Sequence, residues 1–164
     1  MSTNVTNARG WLATTVLLLL LSTGCSTTFI PNTTVADTSD NRRVIQFCEV
    51  YRHAMEDKDV GKLLALASPR YHDDAGTPAG DDDTDYDTLK AFLADRFQKT
   101  SSIRYEIKYH EVVFAENNHV YVNYKYTASY RVPTTHGEQW HHTVADNQLD
   151  LVPDGDSFKI MAGM

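Results

Sequence analysis

Apolar positions follow three different rhythms along this 164-residue chain, and each predicts a different element. A mostly apolar run from Trp11 to Leu21 is continuous rather than periodic. Residues 26–40 show neither helical spacing nor alternation, and their Ser, Thr, Asn, Asp and Pro content reads as a tether. From Asp40 or Asn41, either able to cap a helix, the rhythm becomes helical. Val44, Phe47, Cys48, Tyr51, Ala54 and Met55 form one apolar stripe at i, i+3, i+4, i+7 spacing. Arg43, Gln46, Glu49, Arg52, His53 and Glu56 take the other side. Asp59 can cap a shorter helix carrying Leu63, Leu64, Leu66 and Ala67, which must stop before Pro69. Residues 68–88 read as a loop rich in Gly and Asp. A third helix then puts Leu89, Phe92, Leu93 and Phe97 on one face, capped by Thr84 or Asp85, with Thr84 and Asp87 resembling a capping box.

After Thr100 the period drops to two. Ile103, Tyr105, Ile107 and Tyr109 alternate with Arg104, Glu106, Lys108 and His110. Asn117-Asn118 marks a turn, and a long strand follows with Val120, Val122, Tyr124, Tyr126, Ala128 and Tyr130 on one face. Residues 133–137 make a second turn, Glu138 to Val152 a third strand, and Pro153-Asp154-Gly155-Asp156 a tight turn into Ser157–Met161. Four strands with hairpin-length links predict an antiparallel meander. The class is α+β, with three N-terminal helices packed on one face of the sheet.

The start of the chain adds an address. One charge, Arg9, precedes the apolar run, and the small residues Ser22, Thr23 and Gly24 stand directly before Cys25. That is the layout of a secretory signal peptide, and the run is shorter than the about 20 apolar residues a transmembrane helix needs. The Gly-Cys ending resembles the lipobox of bacterial lipoproteins. The resemblance implies cleavage before Cys25 and lipid on its thiol and amino group, a firm membrane anchor. Ser26 stands where an inner-membrane retention signal would place Asp, so the resemblance implies an outer-membrane protein facing the periplasm. The chain then divides into a signal peptide (1–24), a lipidated Cys25 with its tether (25–40) and a domain (41–164).

Charge and cysteine usage narrow the partners. The chain has a net charge of −7, one unit more negative once Arg9 is removed. Such a surface does not attract nucleic acid and offers no polybasic patch to lipid. With Cys25 acylated, Cys48 is the remaining thiol, and no internal disulfide can form. The 9 tyrosines suggest an aromatic-rich sheet.

Helices followed by a bent antiparallel sheet, over residues 41–164, resemble the nuclear transport factor 2-like superfamily, which includes ketosteroid isomerases, polyketide cyclases and scytalone dehydratase. The carriers are Asp59-Val60-Gly61-Lys62-Leu63-Leu64, the Tyr71–Gly76 loop and the ending Asp154-Gly155-Asp156-Ser157-Phe158-Lys159-Ile160. The resemblance implies a cone with an apolar pocket between sheet and helices. It also implies a homodimer through the outer sheet face, for which the tyrosine-rich strand 120–130 is the candidate. Fold does not decide activity.

Several residues could carry chemistry. Tyr51, His72, Asp73, Tyr105 and His142 could meet inside the cone, where a carboxylate beside Tyr donors suits proton abstraction next to a carbonyl. Equally, Tyr51 reads as core, and His72 and Asp73 as loop polar groups. Asp81, Asp83, Asp85 and Asp87 alternate as in calcium loops, but the sixth and twelfth positions hold Tyr86 and Phe92 instead of Gly and Glu. His136, His141 and His142 do not make a zinc set, because adjacent strand residues point to opposite faces. Cys48 lies on an apolar stripe and reads as a small buried hydrophobe. Trp140 can stack on a ligand or sit in an interface. No metal or cofactor is expected. The leading expectation is a lipid-anchored, non-enzymatic domain that binds a small apolar ligand or a partner. The alternative is a cofactor-free isomerase, cyclase or dehydratase using an Asp or His in the pocket.

Overall fold

The computed structural model describes residues 27–76 and 83–164. The signal segment and Cys25 lie outside these residues, as do Asp81 and Asp82 of the aspartate loop. Three helices, α1 (Ser39–Glu56), α2 (Val60–Leu66) and α3 (Tyr86–Gln98), pack with a four-stranded antiparallel sheet in the order β3-β4-β5-β6. Its strands are β3 (Ser102–Phe114), β4 (Val120–Thr134), β5 (Gly137–Asp154) and β6 (Ser157–Ala162). A two-residue ladder of β1 (His72–Asp73) with β2 (Thr84–Asp85) ties the loop before α3 together. The α+β class and the meander are as the patterns predict.

Helix α1 forms because its apolar stripe has a sheet to cover. Val44, Phe47, Cys48, Tyr51 and Ala54 are buried, joined by Ile45. Phe47 meets Phe158 of β6 edge-on, with centroids 5.7 Å apart. The helix starts two to three residues earlier than a cap at Asp40 or Asn41 would allow: the Thr38 hydroxyl accepts the Asn41 N–H and is the cap. Asp59 caps α2 as its position predicts, accepting the Lys62 N–H at 2.9 Å. At α3 the capping box is formed by Asp85 and Thr88 rather than Thr84 and Asp87. The Asp85 carboxylate takes the Thr88 N–H, and the Thr88 hydroxyl takes the Asp85 N–H.

Within the sheet, Tyr105, Tyr109, Val122, Tyr124, Leu149 and Leu151 point to the helices and form the core. Of the four tyrosines of strand 120–130, three face inward and Tyr121 faces outward. Tyr124 is buried, Tyr126 and Tyr130 line a cleft, and Tyr121 is the one paired with the outward-facing Val113. The outer face carries the Lys125–Asp146 ion pair and exposed Trp140 and Val144. A register shift between Tyr109 and Glu111 and another between Asp150 and Leu151 bend the sheet.

The tether reading of residues 25–40 extends too far into the chain. Residues 28–37 form a small hairpin with Phe29 bridged to Ala36, and the Asp37 N–H reaches the Thr28 carbonyl at 2.8 Å. The Thr34 N–H and hydroxyl bond the Tyr109 and His110 carbonyls, and Val35 is buried in the core. This hairpin covers the edge of β3, a strand that would otherwise offer unpaired carbonyls to another chain.

Candidate functional site

A cleft of about 670 Å³ lies between α3, the C-terminal half of α1 and the far halves of β4 and β5. Its floor is aromatic. Tyr51 from α1 meets Tyr105 from β3 edge to face at 6.3 Å, and Tyr105 lies 5.3 Å from Tyr126 of β4. Period-two alternation sends Tyr126, Ala128, Tyr130 and Val132 into the same space, with Thr143 and Asn147 from β5. From α3, Phe92 and Phe97 close the opposite wall, while Asp95, Arg96 and Lys99 form its rim.

The polar groups in this cleft are mainly tyrosine hydroxyls. Those of Tyr51, Tyr105 and Tyr124 interact with one another, and the Asn147 amide donates to the Tyr124 hydroxyl at 3.1 Å. Burial pushes the Tyr51 hydroxyl well above the usual phenol range, and the phenols of Tyr124 and Tyr105 rise for the same reason. Burial raises the Tyr105 phenol, while the hydroxyls of Tyr124 and Tyr51 and the nearby Arg96 act the other way. All three are neutral at physiological pH; Tyr51 and Tyr105 line the cleft, and Tyr124 is buried in the core.

The rim charges are exposed. Lys99 pairs with Asp95 at 2.6 Å, and the Asp95 side chain keeps 62 % of its surface in water. Arg96 lies over Phe92, 5.9 Å from the ring centre. Asp95 is the one side-chain carboxylate, and no imidazole joins it, among the described lining residues.

Of the five residues expected to meet, Tyr51 and Tyr105 do so, and His72, Asp73 and His142 lie outside the cleft. His72 is solvent-exposed on β1, 3.8 Å from Asp83. Asp73 acts as a buckle, accepting the Tyr71 hydroxyl at 3.0 Å, the Gly163 N–H at 2.8 Å and the Ala75 N–H at 3.0 Å. His142 sits on the outer face, 2.8 Å from the Ser129 hydroxyl and stacked on Trp140. One residue of strand parity explains the miss. His141, not His142, is on the cleft side and stacks on Tyr130 at 5.5 Å. Trp140 lies between two guanidinium groups, Arg104 at 5.7 Å and Arg131 at 5.3 Å. Tyr126, Tyr130 and Asn147 line the cleft as well, beyond the candidates the sequence suggests. The alternation of the strands contained the signal for the two tyrosines, and nothing local distinguished Asn147. Among the described residues no cluster of three His, Cys, Asp or Glu side chains is placed to hold a metal ion.

No protein-family model matches the sequence, and no curated protein matches it. Solved structures do. The Kfla4162 protein from Kribbella flavida superposes with a TM-score of 0.64 at 15% identity, over 76% of this chain and 88% of its own. A protein from Streptomyces avermitilis, described as a candidate dehydratase of the NTF2-like family, gives 0.62 at 15% identity, over 76% and 94%. A protein from Novosphingobium aromaticivorans described as a candidate scytalone dehydratase gives 0.60 at 13% identity, over 76% and 80%. These likenesses show the fold alone: the domain shares the helix-and-bent-sheet fold of these structures, one of which is described as NTF2-like.

Proposed function

We propose that this chain is a lipid-anchored envelope protein whose domain binds a small, largely apolar ligand bearing a hydrogen-bond acceptor. The observation that carries the binding reading is the cleft itself. Its volume of about 670 Å³ falls in the range of small-molecule sites, with aromatic walls and a few convergent polar groups. Its interior donors are neutral tyrosine hydroxyls, which recognise a carbonyl or ether oxygen without transferring a proton at neutral pH. The Gly24-Cys25 lipobox resemblance supports the anchor. No helix among the described residues is long and apolar enough to cross a membrane.

A second reading is a cofactor-free dehydratase or isomerase. It is favoured by the structural neighbours described as dehydratases. Its weakness is chemical: general acid–base work needs a group that titrates near working pH within reach of the substrate. The tyrosines here are shifted the wrong way for a base, and the nearest carboxylate, Asp95, is exposed and paired with Lys99.

Native mass spectrometry of the full chain purified from membranes tests the binding reading. A small-molecule adduct is expected, and Ala128→Trp, which fills the cleft, should remove it with the fold intact by circular dichroism. Turnover of an added hydroxy-ketone that Tyr105→Phe abolishes would favour the enzyme instead. Cys25→Ser should move the protein out of the membrane fraction; its retention there would refute the anchor.

A further inference from the structure

The strap between the anchor and the folded domain is very short, and it emerges at one defined end. We infer that the domain sits directly on the bilayer, with the end that carries Phe29 and Phe114 against the lipid and the tyrosine cleft opening away from it. This rests on the lipid anchor proposed above.

Order begins by Thr28, whose carbonyl is held by the Asp37 N–H at 2.8 Å. Two residues, Ser26 and Thr27, therefore separate Cys25 from a fixed point, a reach of about 10 Å even when fully extended. A compact domain cannot be held clear of a membrane by so short a link. Asp37 adjoins Thr38, the cap of α1, so the link leaves beside the start of that helix.

The rest of that end follows from the direction of α1. Glu56 meets Tyr105 and Glu49 meets Tyr109, so the helix runs antiparallel to β3 and its start lies toward Phe114. Asp40 and Arg43 of the first turns share a crevice with Phe114, Val120 and Phe158. Two large apolar side chains are left uncovered there, Phe29 at 55% and Phe114 at 52% exposure. No described residue covers them, whereas a lipid interface a few ångströms away would. Polar groups of this end are partly satisfied within the domain: Asp37 pairs with Arg42, and His119 hydrogen-bonds Asp150 at 2.7 Å.

The cleft is at the other end. Its lining comes from Tyr51 and Met55 late in α1 and from Tyr130 and Val132 late in β4. A ligand thus reaches it from the aqueous side and not by sliding out of the bilayer.

Fluorescence of the full lipidated chain in phosphatidylcholine vesicles with brominated acyl chains tests this pose. Trp140 is the one tryptophan after Cys25. Phe114 pairs with Val120 and Trp140 with Arg131, which separates them by up to about 36 Å along β4. Emission from a Phe114→Trp, Trp140→Phe variant should be quenched at least two-fold more than emission from native Trp140. Phe29→Trp, Trp140→Phe provides a second probe should the first variant fold poorly. A strap lengthened by ten Gly and Ser residues before Thr27 should keep the protein on the vesicle and erode the difference. Equal quenching at both ends, in protein whose intact mass carries the lipid, overturns the pose alone. An intact mass without lipid overturns the anchor and the pose together.

Discussion

The Glu56 carboxylate accepts the backbone N–H of Tyr105 at 3.0 Å, so the last turn of α1 supplies a partner that the edge of β3 lacks. The same carboxylate holds Arg52 at 2.7 Å, and Arg52 in turn reaches the Tyr105 carbonyl at 3.4 Å. Helix and strand are thereby stitched just where Tyr105 enters the cleft. Hydrogen bonds to charged groups contribute about 1.5–3 kcal/mol, and this one is partly shielded from water. Glu56→Ala should lower stability by about 1–3 kcal/mol in urea unfolding. Glu56→Gln keeps an acceptor for the Tyr105 N–H and should lose less; equal losses would show that the Arg52 pair, not the backbone bond, carries the effect.

Asp73 gathers three donors, from Tyr71, Ala75 and Gly163, and so closes the Tyr71–Gly76 loop onto the end of β6. Position 163 suits glycine, since it adopts a positive φ of 95° and a Cβ added there would collide with the Gln148 carbonyl. Asp73→Ala leaves the Tyr71 hydroxyl and the Gly163 N–H without this partner, and a loss of about 1–3 kcal/mol is expected. Because Asp73 stands outside the cleft, ligand affinity under native conditions should change less than two-fold. A ten-fold loss of affinity in protein that remains folded would return Asp73 to the site.

The Cys48 thiol is fully enclosed on the inner stripe of α1, and burial pushes it up, with the nearby Glu49 charge adding to the effect. The thiolate is the reactive form, so the native protein should resist alkylation at neutral pH. Peptide mapping after iodoacetamide should find Cys48 unmodified in the native protein and modified in denaturant. Cys48→Ser puts a hydroxyl into the same apolar space and should cost about 1–3 kcal/mol. Rapid native labelling would mean that α1 opens far more often than its packing implies.

What could be read in advance tracks how local its cause is. The stripe of Val44, Phe47, Cys48 and Tyr51 and the alternation from Ile103 to Tyr109 are short-range patterns, and both produced their elements. The Thr28–Asp37 hairpin has no such pattern: a single buried residue, Val35, anchors it, and Thr34 attaches through backbone atoms on a strand 76 residues away. Strand parity misled at His142, because one step in register exchanges the two faces and His141 takes the inner one. Tyr51 and Tyr105 were expected to meet because both sit on inward-facing positions. That Tyr124 and Asn147 join them depends on how β4 and β5 align, which no single strand reveals.

The buried tyrosines predict how the domain responds to alkali. Burial raises the phenols of Tyr51, Tyr71, Tyr105, Tyr109 and Tyr124 in the folded state, whereas an unfolded tyrosine ionises near pH 10. The folded form therefore binds these protons more tightly than the unfolded form. Their contribution to stability is complete below about pH 10 and is lost as pH rises further toward the folded values. Absorbance at 295 nm from these five side chains should thus appear together with the loss of native circular dichroism, not before it. Tyr109 is the most informative position, because its hydroxyl also donates to the Glu49 carboxylate at 2.8 Å, so its ionisation would set two negative charges side by side. Tyr109→Phe should flatten the alkaline decline in stability more than Tyr105→Phe, since Tyr105 already has hydroxyl donors and Arg96 to accommodate its anion. A tyrosinate signal that rises fully while the circular dichroism stays native would show that the aromatic floor admits water.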